Sequence, residues 1–438
     1  MSERNATPLV LRPPDSNDRH APALPSPITE RVQDQYTRYP YPPVMPTTSV
    51  IATFGLMDYV KFVLWPGRPD LSGLRVLDAG TGTGQTAVQI AQKCPDAEVL
   101  GIDLSETSLR AARAEAERVG VGNNLMFRQW TIEDVASLGL QFDYIIASGV
   151  LHHLADPDAG MRALASVLSP DGGMAVMLYG TYGRHGVYLL QDLLRRLVGD
   201  RDLAEQAAFA RKLVRRLPVT HPLKPEEWLD LQWTDDAGLV DLLLHVHDRS
   251  YTVPEVYGLV EQAGLRLERF YKPLTYNPKS YFLEEDLRTA FDGLDPREQA
   301  IAAELLHGGM SQHKFFATHA GYEPLRIEPE GAVLFSLRPK RSPLFLWNDT
   351  DWKTTDAGEE RLVLSEMLDG SSHHRTLEFS PWNVLVLSYC DGSLTADDIL
   401  RLPDVFGSLP GDSVEEKIDR YGKFMELMGG NEILLFEP

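Results

Sequence analysis

Between Leu74 and Tyr179, short apolar runs alternate with stretches whose apolar residues recur every three or four positions. The runs read as buried strands and the longer period as amphipathic helices, so this region predicts a parallel sheet with helical crossovers. Strands are expected at 74–79, 98–103, 124–129, 142–147 and 173–179, and helices at about 84–93, 105–119 and 157–168. Ser105 is placed to cap the second helix, behind which Leu109, Ala112, Ala116 and Val119 form one apolar stripe.

After Tyr179 the alternation gives way to charged helical sequence over 186–250, as in Leu189–Val198 and Leu203–Leu217. It resumes with a helix opened by Thr252 and Pro254, a strand at Leu265–Tyr271, a helical stretch at 283–306 and a strand at His313–His319. The insertion at 186–250 is where a cap over a substrate could sit. Upstream, residues 1–28 hold six prolines among polar residues, which predicts a disordered tail. Residues 29–70 then carry an aromatic segment, Tyr36 to Pro43, and an apolar helix near 51–64 that Trp65-Pro66-Gly67 ends. Residues 71–185 form the nucleotide-binding part and 251–322 complete its sheet. Residues 323–438 read as a separate module, with helices following Pro381, Thr395 and Ser413 and a closing strand at 432–436. That pattern suggests a winged-helix-like fold.

A chain of 438 residues accommodates two or three cores, and 43% apolar with 24% charged residues is an ordinary globular balance. The net charge of −21 argues against a nucleic-acid backbone or an anionic membrane as partner. Only Cys94 and Cys390 occur, so a disulfide framework or a cysteine metal site is not expected. With no apolar leader and no run of membrane-spanning length, the chain reads as cytoplasmic.

The densest chemical signal is Val76-Leu-Asp-Ala-Gly-Thr-Gly-Thr-Gly-Gln85. A strand ends at Asp78, and Gly80, Gly82 and Gly84 lead into a helix. Glycines there admit a ligand close to the backbone, and the helix start offers free N–H groups. A dinucleotide site would need its third glycine where Gln85 stands, and the acidic Asp78 suits a cationic amino-acid group better than a pyrophosphate. Asp103, at the tip of the second strand, is placed to accept from both hydroxyls of a ribose.

The chain resembles the class I S-adenosylmethionine-dependent methyltransferases. The resemblance runs through Val76–Gly84, Ile102–Ser105, Phe127–Val135, Phe142–Leu154 and Leu168–Gly173, about a third of the sequence. It implies an α/β fold, a Rossmann-like seven-stranded sheet with a helical insertion, and S-adenosyl-L-methionine as cofactor. It further implies that Asp78, Gly80, Gly82 and Gly84 cradle the methionine part, that Asp103 and Leu104 hold the ribose, and that Ser148 lines the pocket. Family members often have an acidic residue after the third strand for adenine. Thr131 occupies that place here, so adenine contact passes to Thr131 and Ile132 or to Glu133.

Methyl transfer asks the protein chiefly to align a nucleophile and exclude water. His152 is the better candidate of the His152-His153 pair to face the acceptor, and joint metal ligation by adjacent positions is not expected. Tyr179, Tyr182, Arg184 and Tyr188 leave the fifth strand at the ligand-binding edge. Gly180, Gly183 and Gly186 suggest a mobile loop there, in which Arg184 would orient an anionic acceptor. His245, in a second aromatic and basic cluster, is next in line, whereas Gln312-His313-Lys314 reads as strand-flanking polarity. Tyr36, Tyr39 and Tyr41 would fold over the site. A small-molecule acceptor is the leading reading. A protein or peptide acceptor is the alternative, since the C-terminal module also resembles PqqD-like modules and the end domains of bacterial protein lysine methyltransferases. A non-catalytic cofactor-binding scaffold comes last.

Overall fold

The computed structural model describes residues 26–42, 53–68, 70–223, 236–282, 284–324, 330–342, 345–346, 352–354, 360–366, 376–430 and 434–437. The disordered tail expected at 1–28 falls outside these residues except at its end. There Ser26 accepts from the Thr29 amide and starts the helix α1 (Pro27–Arg38), with proline at its first position. The chain divides into two compact units, one of residues 1–55 and 71–322 and one of residues 56–70 and 323–438.

The first unit is built on one sheet. Its strands are β1 (Arg75–Ala79), β2 (Glu98–Asp103), β3 (Leu125–Gln129), β4 (Phe142–Ser148), β5 (Leu168–Gly180), β6 (Ser250–Tyr251), β7 (Leu265–Phe270) and β8 (Gln312–His319). The order is β3-β2-β1-β4-β5-β8-β7, and the two-residue β6 pairs with the end of β5. Strands β1 to β5 run parallel, while β8 runs antiparallel to both β5 and β7. The apolar runs are buried because helices lie on the sheet. Leu77, Ile102, Ile145, Val176 and Phe315 are each at most 1% exposed in one shared core. Strand order reverses between β1 and β4, so the crevice outside their carboxyl ends is where such a sheet receives a ligand.

The insertion carries α6 (His185–Val198), α7 (Leu203–Val214) and the helix Asp236–Leu243. Val187, Leu190, Leu194, Ala207, Ala210, Leu239 and Leu242 close a small core of their own. Between β7 and β8, 3-10 turns at Pro273–Tyr276 and Pro278–Tyr281 precede the expected helical stretch, which is divided into the helices Glu285–Thr289 and Pro296–His307. His313 does not flank its strand as surface polarity. It is fully buried, accepting from the Tyr276 hydroxyl at Nδ1 (3.0 Å) and donating through Nε2 to the Tyr251 carbonyl (3.0 Å).

In the second unit, antiparallel strands Arg338–Arg341 and Leu434–Glu437 lie with helices at Pro381–Ser388, Ala396–Leu400, Pro403–Ser408 and Val414–Gly430. Thr395 and Asp398 form the capping box of the second of these. Two differences from the sequence reading stand out. The helix Met57–Leu64, placed by sequence with the N-terminal segment, belongs to this unit, where Lys61 pairs with Glu437 (3.3 Å) and Asp58 with Lys340 (3.2 Å). A four-stranded sheet over 345–379 was also not foreseen, because its short runs lack clean alternation. Among the described residues no helix is long and apolar enough to cross a membrane.

Candidate functional site

The glycine turn after β1 sits at the switch point. Gly80, Gly82 and Gly84 all take positive φ (76°, 54° and 84°), the conformation that side chains other than glycine's adopt at a cost. A Cβ on Gly82 would lie 2.6 Å from the Tyr41 carbonyl oxygen, and the Thr83 hydroxyl donates to the Pro42 carbonyl (2.9 Å). The segment after α1 therefore lies directly on the turn. Asp103, at the tip of β2, accepts from the Gly82 amide (2.9 Å) and the Ser105 amide (2.8 Å). The Leu104 amide adds a third bond, and since a carboxylate has roughly four acceptor positions, about one remains.

Asp78 is only 4% exposed. Burial raises its pKa to about 6, against the opposing hydrogen bonds from Thr81 (2.6 Å) and the Ala87 amide. Burial likewise raises the Asp103 carboxyl. Leu104 follows Asp103, and its carbonyl accepts from Gln33 (2.9 Å) and Gln129 (2.8 Å). Thr131 uses its hydroxyl to accept the Asp134 amide (3.2 Å), Ile132 is buried, and Ser148 is exposed at the end of β4.

A second group of polar side chains gathers beyond the ends of β4 and β5. His152 is fully buried, its ring centroid lies 3.8 Å from that of Tyr179, and among the described residues neither ring nitrogen has a hydrogen-bond partner. His153 donates from Nδ1 to the His247 carbonyl (2.9 Å), which leaves Nε2 a bare, buried lone pair. The two rings approach to 4.3 Å rather than pointing apart, because Leu151–His153 is a 3-10 turn and not α-helix. His245 accepts the His247 amide at Nδ1 (3.1 Å), so Nε2 carries its proton and faces the Tyr36 hydroxyl (3.2 Å). Tyr36 donates in turn to Asp241 (2.9 Å). Burial lowers the pKa of all three imidazoles, His153 to about 3 and the other two well below the usual value. They are neutral at neutral pH.

Arg184 departs from the sequence expectation. The turn it occupies is not a mobile loop: a Cβ at Gly180, Gly183 or Gly186 would come within 2.4 Å of neighbouring backbone atoms, so these glycines serve close packing. Arg184 itself is 2% exposed and precedes α6, with its guanidinium carbon 3.5 Å over the Tyr179 ring and Asp248 at 3.7 Å. Among the described residues its Nε and Nη2 have no partner within hydrogen-bond distance, Nη2 being the atom that faces Asp248. Tyr188 lies 5.8 Å from the same guanidinium. Tyr182 is 40% exposed and, among the described residues, adds no hydrogen bond or ring contact to the group, and Tyr39 packs instead against the insertion's core. Asp241 was not foreseen, and Asp248 lies within the second aromatic and basic cluster without having been singled out. The available signal for Asp241 was a single acidic residue inside the apolar run Leu239-Val-Asp-Leu-Leu243.

Residues 70–213 match a family model described as a methyltransferase domain. An uncharacterized protein of Synechococcus sp. is 32% identical over 360 residues, covering 79% of this chain and 86% of the relative. The tRNA 5-carboxymethoxyuridine methyltransferase of Escherichia coli K12 is 34% identical over 166 residues, 38% of this chain and 59% of that protein. Among solved structures, PKMT2 from Rickettsia typhi aligns with a TM-score of 0.62 at 14% identity, over 91% of this chain and 78% of that one. The strand order with its antiparallel β8, the glycine turn carrying Asp78 and Asp103, and likeness along most of a relative's length lead to one conclusion: the chain belongs to the class I S-adenosylmethionine-dependent methyltransferases.

Proposed function

We propose that the protein transfers the methyl group of S-adenosylmethionine to a small-molecule acceptor held beyond the ends of β4 and β5. The residues present fit the cofactor. The positive-φ glycine turn sets its backbone at the switch point, Asp103 keeps a free acceptor position, and a buried carboxylate, Asp78, stands beneath the turn. In this reading Asp78 and the glycine amides hold the methionine end, Asp103 the ribose, and Thr131 with Ile132 the adenine. Bound there, the cofactor supplies an electrophilic methyl group on sulfur.

One observation carries the choice of a small acceptor. The polar atoms left unpaired among the described residues, on His152 and His153, belong to side chains at most 4% exposed. Leaving such groups unpaired costs roughly 1–3 kcal/mol each, so a ligand that satisfies them gains that much. A bulky macromolecule would have to displace α1, whose Tyr36 packs on His153 and His245, to reach them. The net charge of −21 also weighs against a polyphosphate acceptor such as RNA. A protein or peptide acceptor is the second reading, favoured by one fact: the likeness to the Rickettsia structure spans 91% of this chain and thus includes residues of the second unit.

Incubation with methyl-labelled S-adenosylmethionine and a cell extract split by ultrafiltration distinguishes these readings. Label in the low-molecular-mass fraction supports the first, and label confined to protein overturns it in favour of the second. Calorimetry with S-adenosylhomocysteine and with NAD should show binding of the former alone.

A further inference from the structure

A chain of hydrogen bonds crosses the acceptor-side group, and its central member is Asp241. This carboxylate is 4% exposed, with Oδ1 accepting from Tyr36 (2.9 Å) and Oδ2 from Tyr179 (3.4 Å). The Tyr36 carbonyl accepts the Ser105 hydroxyl (3.2 Å), two residues beyond Asp103, while Tyr179 ends β5. One buried carboxylate is thus tied both to the cofactor edge of the sheet and to the acceptor edge. The groups facing it are Tyr36 from α1, Tyr179 from β5, Arg184 from the turn before α6, Asp248 and His245 from the loop after its own helix, and His153 from the turn after β4.

His153, Asp241 and His245 place one potential ligand atom each within 4.8 Å of the others, a spacing that would suit a metal ion. Two features oppose that use. His245 carries its proton on Nε2, since Nδ1 accepts a backbone amide. The His153 and His245 rings stack face to face, 3.7 Å apart at 25°, whereas two imidazoles on one ion must aim their in-plane lone pairs at a common point.

Building on the methyl-transfer reading, we infer that Asp241 takes up the acceptor's proton during transfer, so that the acceptor is a hydroxyl or amine rather than a carboxylate. The acceptor's lone pair forms the new bond to the methyl carbon, and the carbon–sulfur bond breaks with its electron pair left on sulfur. The acceptor's O–H or N–H proton passes to a carboxylate oxygen of Asp241. Charge balances, because the positive charge discharged at sulfur is matched by the carboxylate that becomes neutral. The surroundings agree. Two carboxylates, Asp241 and Asp248, face one guanidinium, Arg184, so a further anion is disfavoured there. Burial lifts the Asp241 pKa to about 6, with the Tyr36 hydrogen bond acting the other way, which leaves it ionised yet basic near neutrality.

The test needs no acceptor. Proton release on binding is measured by calorimetry in buffers of different ionisation enthalpy, between about pH 5 and 7, for S-adenosylmethionine and S-adenosylhomocysteine. Asp78 and Asp103 meet parts common to both ligands, so the difference between the two reports the carboxylate facing the sulfur's charge. The wild-type protein should release more protons to S-adenosylmethionine near pH 6. Asp241→Asn should abolish that excess, and Tyr36→Phe, which removes a bond that stabilises the carboxylate, should move it to higher pH. An excess that survives Asp241→Asn, or that stays in place in Tyr36→Phe, overturns the inference. So does tight cobalt(II) binding that Asp241→Asn eliminates, which would make the cluster a metal centre. Failure of both ligands to bind would instead remove the methyl-transfer reading itself, and the inference with it.

Discussion

Substituting Gly82→Ala separates two costs that a glycine turn usually conflates. At φ 54° any residue with a Cβ pays for the left-handed backbone, about 1–2 kcal/mol. Gly120, at φ 75° with nothing within 4 Å of a built Cβ, carries that cost alone and serves as the control. At Gly82 the added Cβ also falls 2.6 Å from the Tyr41 carbonyl oxygen, a backbone atom in a segment anchored by the Thr83–Pro42 bond. Either that segment lifts or the turn shifts, and a shifted turn loses the Gly82 amide bond to Asp103. Hydrogen bonds to charged groups are worth about 1.5–3 kcal/mol. Gly120→Ala should therefore lose about 1–2 kcal/mol of stability and Gly82→Ala about 2.5–5 kcal/mol. Chemical denaturation of the two variants side by side gives the difference, and hydrogen exchange at residues 36–42 shows whether the segment has lifted. Equal losses with unchanged exchange would refute the close approach of Tyr41 to the turn.

Arg184→Met removes the guanidinium that faces Asp241 and Asp248 and should destabilise by about 3 kcal/mol, with a second change, Asp248→Asn, restoring part of it. Thermal melts of the single and double variants check this, and additive losses would count against the pairing. His152→Phe should raise the stability of the ligand-free protein by about 1 kcal/mol, because a buried imidazole with unpaired nitrogens is replaced by a ring that stacks equally well on Tyr179. A loss in the same melt would mean that those nitrogens already have partners. The pH dependence of Asp241 has a definite sign. Its folded pKa of about 6 lies above the unfolded value of about 3.9, so its contribution is present below the unfolded value and lost as pH rises through 6. Compared with Asp241→Asn, the wild-type protein should lose on the order of 2–3 kcal/mol between about pH 4 and 7. A pH-independent difference between the two would refute it.

Strands β1 to β4 were legible to within one residue at either end, whereas β5, expected at 173–179, begins at Leu168, because Ser169-Pro-Asp-Gly172 reads as a turn and not as an apolar run. The turn proposed to hold the cofactor was visible for a similar reason: Asp78, the glycines and Asp103 are close in sequence and local in geometry. The acceptor side was not. Asp241 and Asp248 act on Arg184 and Tyr36 across 50 to 200 residues of chain, and no local pattern records which loop meets which. The glycines at 180, 183 and 186 were misread as mobility for the same reason, because the backbone that they touch lies at 223 and 309–312. His313 shows the converse error. A histidine between two polar residues looks superficial until β8 is known to be a central strand, with β5 on one side and β7 on the other.

The second unit enters the chain twice, at 56–70 and again after 323, and this has a consequence for synthesis. Met57, Tyr59, Val60 and Leu64 are buried in the finished protein, yet the residues of their unit that cover them are translated more than 250 positions later. At about 5–20 residues per second the ribosome leaves this helix without them for roughly 10–50 s. The sheet of the first unit, complete by residue 319, can close in that interval, while the waiting helix exposes an apolar face. A chaperone that binds short apolar segments would find its natural target there, and a nascent chain stalled before residue 323 should be held by it more tightly than one released at full length.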